Sequence, residues 1–217
     1  MYFRDPVDIL MECREEQASI PATNIITDPE HRPCQEKWCA ATFGSGYSKY
    51  VSLCRVAVND SLDRKDADFF LEARGGVFPF QTTECMREGR KRDEEYRKLG
   101  EVKRGIEVEP ERVAEFLSTV LTPYRPVLGS EKGPEWIETA IARKVKKQYA
   151  VSEGLNLLVY ANFEAKGMDV RVIRERAKAH RDKFASIWII TDRHICTLFS
   201  NELIGEVTGW EVNVFRR

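Results

Sequence analysis

Apolar and polar positions alternate along this chain in stretches of distinct period. Residues 4–20 carry Ile9, Leu10 and Cys13 on one helical face, with Asp5-Pro6 as cap and first turn. Residues 21–35 hold Pro21, Pro29 and Pro33 and read as loop. In residues 36–49, Trp38, Ala41, Phe43 and Tyr47 suit a helix, while Gly44-Ser45-Gly46 weakens it. Three strand patterns follow at 50–58, 67–74 and 77–85. Gly75-Gly76 predicts a two-residue hairpin turn between the last two. Pro79 then demands a sheet edge or a bulge.

Helical periods return at 86–104 and 110–122, the first rich in charge of both signs. A clearer helix spans 134–149, with Trp136, Ile137, Ala140, Ile141, Val145 and Tyr149 on its apolar face. The continuous apolar runs LNLLVYANF (155–163) and SIWIIT (186–191) predict strands covered on both faces. A helix at 168–184 separates them, ICTLF (195–199) follows, and residues 210–217 suggest an edge strand. The expected class is α/β: a central mixed sheet flanked by helices, in one domain over residues 1–217.

Composition narrows the field. The 217 residues are 42% apolar, enough for a substantial core, and 34 Lys+Arg stand against 35 Asp+Glu. That balance gives no global basic field. No apolar run spans a bilayer, and the N-terminus lacks a signal-peptide core, so the expectation is a cytoplasmic protein with no membrane partner. The six cysteines form no CxxC pair. Cys54, Cys85 and Cys196 read as small core hydrophobes. His31, Cys34, Cys39 and Cys13 are a weak zinc candidate. His180 and His194 read as solvent-facing. P-loop, dinucleotide-fold, zincin and serine-hydrolase signatures do not occur.

The hairpin carries the chemistry. With Gly75-Gly76 as its loop, Asp68 lies opposite Thr83 and diagonal to Gln81, and all three share a face. An Asp at a strand start, a hairpin, and Gln81-x-Thr83 on the next strand resemble a degenerate PD-(D/E)xK motif. The element order is similar to the restriction-endonuclease-like nuclease core, over about residues 36–199, with 86–130 as a helical insertion. The resemblance implies that Asp68 and Gln81 ligate Mg²⁺, the glutamine replacing the acidic residue through its amide oxygen. Thr83 stands where that family has its lysine. Lys144 or Lys147 on the following helix would have to supply the charge, and Lys144, flanking the buried stripe, is the better placed. The implied function is Mg²⁺-dependent cleavage of DNA or RNA, or nucleic-acid binding by a core that has lost that chemistry. The alternative is a non-enzymatic interaction protein that keeps the fold for stability. Oligomeric state is not legible.

Overall fold

The computed structural model describes residues 1–19, 32–59, 67–86, 126–147, 154–163 and 167–212. In chain order these form α1 (Pro6–Ser19), α2 (Arg32–Tyr50), β1 (Cys54–Val58), β2 (Phe69–Ala73), β3 (Gly76–Cys85), α3 (Pro126–Lys146), β4 (Asn156–Ala161), α4 (Val170–Ala177), a 3₁₀ helix (Lys178–Lys183), β5 (Ile187–Ile190), β6 (His194–Phe199) and β7 (Glu211–Val212). The helices expected at 86–104 and 110–122, and so most of the 86–130 insertion, lie outside the described residues.

The seven strands among the described residues join one sheet in sequence order. β1, β2 and β3 pair antiparallel. β3, β4 and β5 run parallel. β6 and β7 continue antiparallel. The class is α/β with a mixed sheet. Every residue of β4 and β5 is buried, which is why their sequences are unbroken apolar runs rather than alternating ones.

Two cores cover the two faces. On one, α1 and α2 close over Phe69, Phe80 and Trp188. The Phe43 ring sits 4.9 Å from Phe80 and 5.3 Å from Trp188. Each such buried aromatic contributes roughly 1.5–3 kcal/mol from apolar burial. On the other face, Ile137 and Ile141 of α3 and Ile173 of α4 meet Leu157, Val159 and Ile189. Cys54, Cys85 and Cys196 are buried and free.

Packing overrides propensity in α2. The helix starts at Arg32, inside the stretch expected to be loop, and runs straight through Gly44-Ser45-Gly46. A β-carbon at Gly44 would stand 2.7 Å from Val56 Cγ2 and 2.8 Å from Pro6 Cγ. The glycine permits α2 to lie close against β1 and the start of α1, and that approach buries Phe43 and Tyr47 completely. The Tyr47 hydroxyl donates to the Ile204 carbonyl at 2.6 Å.

The hairpin turn is Arg74-Gly75, one position earlier than expected. Both residues are left-handed, with φ of 51° and 77°, as a type I′ turn requires. Cross-strand partners therefore shift by two, and Phe69 lies opposite Phe80. Because the shift is even, the faces are unchanged. Pro79 lies opposite Phe70 at a position of the ladder that makes no hydrogen bonds to β2. Its nitrogen faces β4, whose pairing begins only at Phe80. At Pro79 β3 is therefore locally a sheet edge on its β4 side, as the proline demands.

α3 begins at Pro126, eight positions before the expected start, and carries Pro134 in its interior. The helix expected at 168–184 is α4 followed by the 3₁₀ segment. Asp169 caps α4 by accepting from the Arg171 N–H at 2.8 Å. His180, expected to face water, is instead part-buried with Nε2 3.1 Å from Glu138 Oε1, tying the 3₁₀ segment to α3. Among the described residues, no helix is long and apolar enough to cross a membrane.

Candidate functional site at the β2–β3 fork

β3 is ten residues long, and its two neighbours share it end to end. Gly76 to Phe80 pair with β2, and Phe80 to Cys85 pair with β4. Among the described residues, the second half of β3 has no strand on the β2 side. The sheet forks there, and side chains take over the ladder. Asp68, one step before β2, accepts the Thr82 N–H at 2.6 Å and the Thr82 hydroxyl at 2.7 Å, both on Oδ2. The Asp68 N–H donates to the Phe80 carbonyl, and its own carbonyl accepts from the Asn59 N–H. Further along, Arg143 of α3 donates to the Glu84 carbonyl at 3.1 Å.

A cleft of about 360 Å³ wraps this part of β3. Thr82, Thr83 and Glu84 form its floor, Glu36 and Cys39 come from α2, and Arg143, Lys144 and Lys147 come from α3. The cationic wall is a consequence of helix phase. Ile137, Ala140 and Ile141 are buried on the sheet. Lys144 flanks that stripe, and its long stem carries the ammonium inward to Gln81, where Nζ donates to Oε1 at 2.7 Å. Gln81 is 1% exposed, and among the described residues its Nε2 finds no hydrogen-bond partner. Lys147, expected to face water, is exposed and lines the cleft rim.

The four residues singled out from sequence are therefore distributed as follows. Gln81 and Lys144 are in direct contact. Thr83, on the same face of β3 as Gln81, lines the cleft and is 9% exposed. Asp68 is buried at the fork, its carboxylate turned to Thr82. Sequence reasoning passed over Glu36, a carboxylate only 8% exposed. Its helix had been given a later start, so its face was unassigned. It also passed over Arg143 as an individual residue.

Burial sets the chemistry of the cysteine beneath the cleft. It pushes the Cys85 thiol up to about 12, against a smaller downward pull from Arg143, so this sulfur is no thiolate nucleophile near neutrality. In the zinc candidate, Cys34 Sγ approaches Glu16 at 3.9 Å, Cys13 is buried with its thiol pushed up to about 11, and His31 lies outside the described residues.

Mg²⁺ calls for a near-octahedral oxygen shell at about 2.0–2.1 Å. As placed, Asp68 Oδ2 holds two donors from Thr82, and Gln81 Oε1 holds an ammonium. Those two oxygens thus face protein donors. The cleft presents three cationic side chains, Arg143, Lys144 and Lys147, with the carboxylates of Glu36 and Glu84 and the hydroxyls of Thr82 and Thr83. No family model, curated protein or solved structure matches the chain.

Proposed function

We propose that this chain is a nuclease-like protein that binds nucleic acid through phosphate contacts at the β2–β3 fork, by a core in which the hydrolytic chemistry is degenerate. The observation that carries the reading is the convergence of Arg143, Lys144 and Lys147 on one cleft at the open side of β3. The strand order, with β2 antiparallel to β1 and β3 and with β3 to β5 parallel, supports a restriction-endonuclease-like core. Local charge matters more here than the net charge of -1, because phosphate neutralisation is a contact-by-contact effect.

The test is fluorescence anisotropy with single-stranded and duplex DNA and RNA across a salt series. Arg143→Ala with Lys147→Ala should weaken binding to every bound substrate and flatten the log K against log salt slope by about 1.4–1.8. No binding to any of the four nucleic acids would overturn the proposal and leave the non-enzymatic interaction protein.

Glu36, a buried carboxylate in the same cleft, favours a second reading in which the protein cleaves what it binds. Cleavage of plasmid, single-stranded DNA or RNA with Mg²⁺ or Mn²⁺, abolished by both Glu36→Gln and Lys144→Ala, would establish that reading.

A further inference from the structure

We infer that α4 and the 3₁₀ segment after it present a second contact surface for the phosphate backbone of nucleic acid: a stripe of Arg171, Arg174, Lys178 and Arg181 laid along β6. The inference goes beyond the β2–β3 cleft, uses none of its residues, and shares with it only the class of partner. Spacing makes the stripe. Val170, Ile173 and Ala177 are the buried residues of α4. Positions 171, 174 and 178 then follow one another along one flank at i, i+3 and i+7. In the 3₁₀ segment residues three apart eclipse, so Arg181 continues the line from Lys178. Two contacts with β6 fix the direction of that flank. Arg174 donates from Nε to the Leu198 carbonyl at 2.9 Å and from Nη2 to the Thr197 carbonyl at 3.1 Å. The Arg181 guanidinium lies 6.0 Å from the centroid of the Phe199 ring. Both guanidiniums are placed before any partner arrives, which spares part of the ordering cost of binding. Among the described residues neither has a carboxylate partner.

The acids nearby are few. Arg171 pairs with Asp169 at 2.9 Å and Lys178 with Glu175 at 3.7 Å, and exposed pairs of this kind are weak. Asp182 lies about 120° round the 3₁₀ turn from Arg181. Glu138 of α3 is taken by His180. The stripe rises about 16 Å, the axial rise of about five nucleotides of one strand, which suits a continuous backbone. Three of its four cations are guanidiniums, whose planar forks match phosphate oxygens. A lipid surface fits less well, because Val172 is the exposed large apolar residue of this element and gives little to bury in a membrane.

The probes are a fluorescein-labelled oligothymidylate and a labelled duplex of mixed sequence, each several times longer than the stripe, followed by anisotropy across a salt series. Lys178→Ala with Arg181→Ala should weaken binding and flatten the log K against log salt slope by about 1.4–1.8, as two lost phosphate contacts require. Lys178→Arg with Arg181→Lys conserves the charge and should keep the wild-type slope. Glu175→Gln removes the acid beside Lys178 and should tighten binding about twofold, a gain that no loss of folding can imitate. The cleft pair, Arg143→Ala with Lys147→Ala, separates the two surfaces. If the cleft pair alone flattens the slope, the inference is overturned and the cleft reading stands. If the α4 pair alone does so, the inference stands and the cleft reading falls. No binding of either probe overturns the inference. So does a wild-type protein that binds vesicles of phosphatidylglycerol and phosphatidylcholine through Lys178 and Arg181 while binding neither probe.

Discussion

The carboxylate of Asp68 stands in for a strand: it takes the Thr82 N–H, which β2, beginning only at Phe69, leaves without a ladder partner among the described residues. A buried N–H stripped of its acceptor costs about 1–3 kcal/mol. Asp68→Ala should therefore lower stability by that amount in urea unfolding, while Asp68→Asn, which retains an oxygen, should stay within about 1 kcal/mol of wild type. In any binding or cleavage assay the asparagine variant is the informative one, since the alanine variant confounds a ligand role with loss of the fork.

A second group of polar atoms sits where β4 and β5 begin. Ser186 Oγ donates to Asn156 Oδ1 at 2.6 Å and accepts the Trp188 indole N–H at 2.8 Å. Asn156 in turn donates to the carbonyls of Pro79 and Gly154. The starts of β4 and β5 are thereby pinned to each other and to β3 at Pro79. Ser186→Ala orphans two buried groups and should cost about 2–4 kcal/mol, read as a lower urea midpoint with an unchanged m-value.

At Gly44 two effects oppose each other. Alanine in place of a helical glycine gains about 1 kcal/mol in propensity. Here its β-carbon would press on Val56 and Pro6, and overpacking of that kind costs about 1–3 kcal/mol. Gly44→Ala should be destabilising on balance, and Val56→Ala in the same chain should recover part of the loss. Additive effects in the double-mutant cycle would show that the close approach is not what matters.

Acid should loosen the junction of α1 and α2. Hydrogen bonds from Arg4 and then Lys37 hold the Glu12 carboxyl down at about 2, below its ordinary value of 4.5. The folded value lies below the unfolded one. The contribution is complete above the ordinary value and disappears as pH falls toward the folded one. Between about pH 5 and about pH 2 the unfolding midpoint should fall more steeply for wild type than for Glu12→Gln. The pair is solvent-exposed, so the difference should shrink in added salt.

What the sequence revealed and what it hid follow from the range of the forces involved. β4 and β5 were legible because burial on both faces leaves an unbroken apolar signature. The hairpin was legible as a hairpin, but not its turn: Arg74 at φ 51° is a position where glycine would ordinarily be expected. The parity of the faces survived that error, and the partner of Asp68 did not. Whether its carboxylate turns to Gln81, Thr83 or Thr82 depends on where β2 begins, and no local pattern encodes that. The approach of Lys144 to the β3 side was readable from helical phase alone, one position from Val145 on the buried stripe. Glu36 was hidden because it opened the stretch 36–49, whose helix Gly44-Ser45-Gly46 left ambiguous, while the helix that carries it is held by tertiary packing against β1.

The division of β3 between two neighbours also fixes the order in which the molecule can assemble. Its first half meets β2 across a two-residue turn, a contact that closes on the microsecond scale. Its second half meets β4 only after the chain has left β3 at Cys85 and returned at Asn156. An isolated hairpin is marginal in water, so the early half gains its permanence from the late one. Closure entropy grows only logarithmically, by about 0.6 kcal/mol for each doubling of the loop. The cleft, built where the local and distant halves meet, comes into being in the same step that commits the chain to its fold.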